Sequence, residues 1–331
     1  MLKPAGNVPF TKRAVLYVGY NCNAKCCFCH YHWKKWDWRS LEDCMKDAAK
    51  FRFEFGNSTV DITGGEPSVY PHIVELLIYC RKIGLRPTII TNGLVMKKRA
   101  REFHDAGLVG TLSSVHTVSN MDDVYGVKDA FRKIDTGLDE IASIMPLRTN
   151  TTIIRQNYHE LCEITKYVIG KGAEVVNFIP FNARHEWRDK IEIEHQISHS
   201  THAPYLDNAV QIAEDNGVRA NIRYIPFCMF PDRYPNMSNW GQLPYDPHEW
   251  DLRSWLDEWY HWLPGTTYKA MSLAVRKKVC RKSPRCKECA LDPICDGVGA
   301  QYLDRYGDPE LVPIKGDLVT NMDHYRKEQL V

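Results

Sequence analysis

The stretch Gly19–Trp36, GYNCNAKCCFCHYHWKKW, sets Cys22, Cys26, Cys27 and Cys29 within one short loop and follows them with His30, His32, Trp33 and Trp36. The segment leading into it, AVLYVGY (14–20), is a short apolar run of strand character, so the cysteines sit on the loop that follows a strand. A core cysteine needs no such company, and a secreted disulfide framework spreads its cysteines along the whole chain. A tight cluster of this kind points to metal.

Working outward, the chain alternates between two periodicities. Strand-like runs occupy 58–63, 86–91, 109–117, 147–157 and 173–182, and helix-like runs occupy 41–56, 71–84, 95–107, 127–145 and 158–172. Six strands separated by helices imply parallel crossovers, in either a βα barrel or a doubly wound sheet. In both architectures ligands gather at the carboxyl ends of the strands. The cysteine loop, the turn TGGEP (63–67) and the turn TNG (91–93) all follow strands directly and so share one face. Beyond residue 183 a helix at 203–217 and a strand at 218–225 are expected. An aromatic, Pro-rich loop or lid follows at 226–264, and a helix at 268–280 leads into a second cysteine group.

Composition bounds the classes. The 331 residues suffice for one large α/β domain and a smaller one, and the net charge of +2 offers no basic field for nucleic acid. No apolar run approaches the roughly 18 residues of a membrane span, and no signal-peptide-like stretch precedes the first strand, so a cytoplasmic location is expected. Of the twelve cysteines, Cys44, Cys80 and Cys162 stand alone in helical segments and read as small buried hydrophobes.

Cys22, Cys26 and Cys29 have the spacing C-x3-C-x2-C. Three thiolates on one loop suit three irons of a cubane [4Fe–4S] cluster and leave the fourth iron open for a substrate. Zinc held by the three cysteines and His30 or His32 is the alternative. With Phe28 before the last cysteine, and GGEP (64–67) after the second strand, the pattern resembles the radical S-adenosylmethionine (SAM) superfamily over residues 14 to about 182. The resemblance implies a partial (βα)6 TIM-like barrel with a smaller C-terminal cysteine-rich auxiliary-cluster domain. It implies a core at 1–185, a connecting region at 186–264 and an extension at 265–331. It also implies reductive cleavage of SAM to a 5′-deoxyadenosyl radical that takes a hydrogen atom from substrate, with electrons from a donor such as flavodoxin or ferredoxin.

By the same resemblance, Gly64 and Gly65 let the backbone approach SAM, and Glu66 accepts from its ammonium. Thr91 and Asn92 end the third strand, Ser113 and Ser114 lie on the fourth, and Asn150 and Arg155 lie on or after the fifth, where the superfamily contacts SAM. Phe28 and Ile179 are candidates for the adenine pocket.

Cys280, Cys286, Cys289 and Cys295 read C-x5-C-x2-C-x5-C. The pattern resembles the SPASM/twitch extension and implies one auxiliary [4Fe–4S] cluster, with zinc as the alternative. Cys228 is either a replacement for Cys280 or a hydrogen-atom donor near the barrel mouth. The expected substrate is a small polar molecule: a sugar, a nucleotide or a natural-product intermediate. A peptide maturase is the neighbouring reading, and a non-catalytic zinc protein is the reading of another class.

Overall fold

The computed structural model describes residues 13–29, 37–54, 56–181, 194–238, 280–321 and 324. Strands β1 (Arg13–Tyr17), β2 (Thr59–Thr63), β3 (Arg86–Thr91), β4 (Thr111–Ser114), β5 (Leu147–Ile153), β6 (Ala173–Pro180) and β7 (Arg219–Arg223) form one parallel sheet. Their order in space is their order in the chain, and a two-residue β8 (Met237–Ser238) joins β7 at the edge. A doubly wound sheet reverses its strand order at a switch point. The steady order seen here selects the barrel.

Between the strands run α1 (Leu41–Phe53), α2 (Ile73–Lys82), α3 (Met96–Asp105), α4 (Met121–Tyr125), α5 (Ala130–Ile144) and α6 (Leu161–Gly170), and α7 (His199–Asp215) precedes β7. Local chemistry sets their ends. Ser40 caps α1 by accepting from the Asp43 N–H at 3.1 Å, with Glu42 and Asp43 in the first turn and Lys50 and Arg52 in the last. The helix expected at 127–145 is α5, and before it lies the short α4, which Gly126 closes in the left-handed region at φ +61°.

Alternate strand residues face the helices: Val60, Ile62, Ile89, Phe178, Ala220 and Ile222 belong to one buried core. Complete burial of each large aliphatic side chain contributes roughly 1.5–3 kcal/mol. The opposite face carries Tyr17, Asp61, Thr88, Arg148, Asn150, Asn177 and Asn221. Arg148 Nη2 lies 3.8 Å from Asp61 Oδ1, although β5 and β2 are three strands apart. In a flat sheet those strands would be about 14 Å apart, so the sheet curls and closes this face inward.

The strand expected at 218–225 is thus not a separate element but β7, the seventh wall of the barrel. Among the lone cysteines, Cys44 and Cys80 are fully buried as expected. Cys162 differs: it is half-buried, with its thiol 3.8 Å from the Tyr205 carbonyl oxygen. The lid beyond Ser238 and nearly all of the helix expected at 268–280 lie outside the described residues, as do His30, His32, Trp33 and Trp36. Cys280, the last residue of that expected helix, is in a strand: β9 (Cys280–Arg281) pairs antiparallel with β10 (Val298–Gly299), and α8 (Ala300–Tyr306) follows. No described helix is long and apolar enough to cross a membrane.

Candidate functional site

The cysteine loop crosses the carboxyl ends of the strands and is tied down on both sides. On the β2 side, Gly65 N–H donates to the Gly19 carbonyl and Glu66 N–H to the Asn21 carbonyl, both at 2.9 Å. A Cβ on Gly64 would overlap the Gly19 carbonyl oxygen, and one on Gly65 would overlap the carbonyl oxygens of Tyr20 and Asn21. Gly64 also has φ +142°, which only glycine adopts easily. The glycine pair therefore works first between two protein backbones, pressing the turn after β2 onto the cysteine loop. On the α4 side, Lys25 N–H donates to the Tyr125 carbonyl at 2.8 Å and Cys27 N–H to the Val124 carbonyl at 3.0 Å. Cys27 and Phe28 then pack on Ile154 and Phe181, at the ends of β5 and β6.

Glu66 is almost completely buried. Its carboxylate accepts from Ser68 N–H at 3.0 Å, the Thr91 hydroxyl at 2.7 Å and Asn92 N–H at 2.6 Å. Burial raises its pKa, and these hydrogen bonds act against the rise. Glu66 thus joins the ends of β2 and β3, and Thr91 serves it directly. Asn92 continues the chain toward the metal loop: its Nδ2 donates to Asn23 Oδ1 at 2.8 Å and lies 3.8 Å from Cys22 Sγ.

The remaining sequence candidates divide by face. Ser114, Asn150 and Ile179 lie on the inward face. Asn150 Oδ1 is enclosed without a hydrogen-bond partner among the described residues, as expected of a group that a ligand completes. Ser113 points the other way, fully buried, with its hydroxyl 3.1 Å from that of Thr111. That corrects its expected contact with SAM, because strand alternation admits only one of two adjacent serines to the site. Arg155 is also diverted: its Nε donates to the Glu194 carbonyl at 2.7 Å, and its Nη2 reaches the Gln196 carbonyl at 3.4 Å.

His116 is a site residue that the sequence reading missed. It continues the inward parity of β4 and is buried, edge-on to Phe28 at 4.8 Å and stacked on Tyr125 at 5.5 Å. Thr152 N–H donates to its Nδ1 at 3.1 Å, so Nε2 carries the proton. Burial lowers its pKa to about 3, and the ring stays neutral at working pH. A lone histidine carries no pattern; only its position after the fourth strand could have suggested it.

The thiols of Cys22, Cys26 and Cys29 are close enough to oppose one another's ionisation. Loss of hydration, then the Glu66 and Cys29 charges, raises Cys22 to about 12, while Cys26 is raised by burial and then by Cys29 and Cys22. Such a set favours a cationic partner. Among the described residues, no three His, Cys, Asp or Glu side chains converge on a single point to hold one ion. A cubane offers its irons at separate corners, so its ligands surround a body instead of meeting at an atom.

A second cleft is lined by Cys228, Cys286, Cys289 and Cys295, with Phe227, Leu291 and Leu311. Burial first, then the charges of Cys295, Cys286 and Cys289, raises the Cys228 thiol to about 12, and burial brings Cys295 to about 12 as well. Cys280 is buried in β9, paired with Gly299, and does not line the cleft. Of the expected set Cys280, Cys286, Cys289 and Cys295, the structure brings the last three to this cleft, together with Cys228 in the place expected for Cys280. The Cys228 thiol, expected as either a replacement for Cys280 or a hydrogen-atom donor, is gathered among the other three.

Fold and loop together define a parallel barrel that carries a three-cysteine loop across its mouth. The sequence model of the radical SAM superfamily matches residues 16–168, and the chain carries a radical SAM domain. A probable GTP 3′,8-cyclase of Sulfolobus acidocaldarius is 28% identical over 165 residues, covering 48% of this chain and 52% of that protein. The corresponding protein of Saccharolobus solfataricus is 29% identical over 165 residues, covering 48% and 53%. The chain thus spans about half the length of the curated relatives it matches. Among solved structures, Streptococcus suis SuiB bound to precursor peptide SuiA superposes with a TM-score of 0.63 at 18% identity, covering 94% of this chain and 76% of that one. The structure of anSMEcpe with bound AdoMet and Cp18Cys peptide gives 0.52 at 17% identity, covering 65% and 64%. At these identities the likeness is one of fold.

Proposed function

We propose that the chain is a radical SAM enzyme that acts on a small polar substrate and holds an auxiliary [4Fe–4S] cluster beside the barrel. The observation that carries this reading is the double backbone tie, Gly65 to Gly19 and Glu66 to Asn21, which fixes a C-x3-C-x2-C loop over the mouth of a parallel barrel. In this reading Cys22, Cys26 and Cys29 hold a [4Fe–4S] cluster whose fourth iron takes SAM. When bound, cluster and SAM supply a 5′-deoxyadenosyl radical after transfer of one electron from a donor such as flavodoxin or ferredoxin. The chain's own residues hold and shape. Asn150 and Ser114 offer polar contacts on the inward face, Phe28 and Ile179 offer apolar ones, and the Glu66 bridge keeps the second and third strand ends in register with the loop. Cys228, Cys286, Cys289 and Cys295 hold the auxiliary cluster, and four thiolates leave it no open iron.

The relatives named as probable GTP 3′,8-cyclases favour a nucleotide-like substrate. The peptides bound in the SuiB and anSMEcpe structures keep a peptide substrate as an outcome to be tested. After anaerobic reconstitution, about eight irons and eight sulfides per chain are expected for two cubanes. Dithionite should then release 5′-deoxyadenosine from SAM. Cys26→Ala should abolish that release while Cys27→Ala keeps it. Full activity in Cys26→Ala, or a colourless protein with stoichiometric zinc, overturns the assignment.

A further inference from the structure

Two helices beside the cysteine loop carry their charges in reversed order. α1, α2, α4 and α6 each have an acid in the first turn, Glu42, Glu75, Asp122 and Glu163 among them, as the positive end of a helix dipole favours. α3 and α5 have none there. Lys97 and Lys98 stand in the first turn of α3, Arg132 and Lys133 in that of α5, and Lys128 just before α5 begins. Cations at this end of a helix destabilise it, so helix stability does not account for their placement.

In a parallel barrel each crossover helix starts near the carboxyl end of the strand before it, so both turns lie at the rim of the mouth. Three contacts join them to the cysteine loop and to each other. Asn92, just before α3, donates from Nδ2 to Asn23 Oδ1 at 2.8 Å. Lys25 N–H donates to the Tyr125 carbonyl at 2.8 Å, and Lys25 lies against Gly126. Gly137 of α5 lies against Gly93 and Met96. The surface contact of Arg101 with Glu140, at 3.3 Å, shows which faces of α3 and α5 adjoin. Lys97 is one turn before Arg101, and Lys133 is two turns before Glu140, on those same faces.

Lys25, Lys97, Lys98, Lys128 and Arg132 are exposed. The ammonium groups of Lys25, Lys97, Lys98 and Lys128 make no ion pair or hydrogen bond among the described residues. Most nearby acids are engaged: Asp129 with Arg132 at 3.4 Å, Glu102 with Arg99 at 2.7 Å, and Asp122 with the N–H groups of Asp129 and Ala130. Asp123, exposed on α4, is the opposing charge.

We propose that this basic rim, Lys25, Lys97, Lys98, Lys128, Arg132 and Lys133, is the docking surface for a small acidic electron-carrier protein of the flavodoxin type. The inference rests on the radical SAM reading, which calls for one electron from outside and places its entry at the cysteine loop. Asn23 and Lys25 are exposed on that loop, so an acidic partner seated on the rim reaches the three-cysteine site. Opposite fields speed such an encounter and fix its orientation. The step is a one-electron transfer: the carrier's anionic flavin hydroquinone is oxidised to the neutral semiquinone, the cluster is reduced by that electron, and no proton moves.

The test is binding of flavodoxin to the reconstituted full chain, followed by biolayer interferometry. Affinity should fall about tenfold between about 0.05 M and about 0.3 M salt. Lys97→Glu combined with Lys98→Glu should weaken binding about tenfold at the lower salt. Because an acid is favoured at a helix N-terminus, this variant should keep its iron and melt no lower than wild type, which separates a lost surface from a lost fold. Lys82→Glu combined with Arg86→Glu makes the same change of net charge at the other end of the barrel, in the last turn of α2 and at the start of β3. It should bind within about twofold of wild type. The proposal is overturned if the rim variant binds within about twofold of wild type, if the second variant loses as much, or if binding ignores salt. It is overturned equally if a short RNA binds more tightly and displaces flavodoxin. Should the rim variant lose iron, Lys128→Glu takes its place with the same expectation. A chain that cleaves SAM with dithionite but does not bind flavodoxin keeps the radical SAM reading and overturns the surface. One that binds flavodoxin through the rim but takes up no iron keeps the surface and overturns that reading.

Discussion

At the scale of single residues, two positions near the cysteine loop act by taking up space and by holding a proton. Gly65 faces the carbonyl oxygens of Tyr20 and Asn21 so closely that no side chain fits. Gly65→Ala should push the loop away and lower iron by about four per chain, one cubane. Gly56→Ala is the control: Gly56 also has a positive φ, +71°, but open space for a Cβ, so the strain is local and iron should stay complete. His116 makes the opposite demand, for a specific atom. Its Nδ1 must accept from Thr152 N–H. His116→Phe keeps a ring against Phe28 but orphans that buried N–H, at a cost of about 1–3 kcal/mol. Thermal melting should show the loss, and His116→Asn, which restores an acceptor, should recover part of it. Because the ring is already neutral down to about pH 3, neither variant should alter the shape of a pH–rate profile between pH 6 and 8. A limb near pH 6.5 that disappears in His116→Asn would show that the imidazole titrates and that the tautomer is misassigned.

At the scale of elements, the second cysteine site depends on where β7 lies. The pairing of β7 with β6 brings the turn at Phe227–Met229 to the cleft, while β9 holds Cys280 against Gly299. Cys228→Ser should therefore remove about half the iron, and Cys280→Ser should leave iron complete and change only stability. The reverse result would return Cys280 to the ligand set. This site also marks the limit of what the sequence discloses. The strands and the first cysteine loop are legible because their signals are local: period-two apolar runs, a spacing, a glycine pair after a strand. The choice between Cys228 and Cys280 is not local, since it depends on a seventh strand joining the sheet. Ser113 and Ser114 are adjacent and chemically alike, and only the strand's facing separates them. The partners of Glu66 were likewise hidden: the residue could be read as a ligand acid, but its three internal donors come from a 3-10 turn and from β3, which only the closed barrel brings together.

At the scale of the whole molecule, the C-terminal extension is fastened to the barrel at the first turn of α7. Tyr302 of α8 stacks on His199 at 4.2 Å, accepts from its backbone N–H at 2.6 Å and donates to Glu310, while Tyr306 donates to the Gln196 carbonyl at 2.9 Å. Beneath this contact His199 Nδ1 and His202 Nε2 lie 3.1 Å apart, both rings buried. Burial lowers His199 to about 3 and His202 well below its ordinary value; Glu310 opposes the shift at His202, and the neighbouring His199 adds to it. A histidine whose pKa is lowered by folding binds fewer protons folded than unfolded, so stability rises with pH between the folded value near 3 and the unfolded value near 6.5. Glu310, held below the ordinary carboxylate range by its hydrogen bonds to Ser200 and Tyr302, contributes stability in the same direction at more acidic pH. Glu66, whose pKa is raised, acts the other way. At pH 5 a histidine such as His199 has lost about 2 kcal/mol of its contribution, a large part of the roughly 5–15 kcal/mol that holds a typical domain. Urea midpoints at pH 7.5 and pH 5.0 should therefore fall steeply in the wild type. In the double variant His199→Phe, His202→Leu they should fall less, by the share of two histidines, because neither replacement titrates. Measuring the difference between the two proteins removes any acid lability of the clusters themselves. Parallel pH dependence in both would mean that this pair is not what ties the extension's docking to acid.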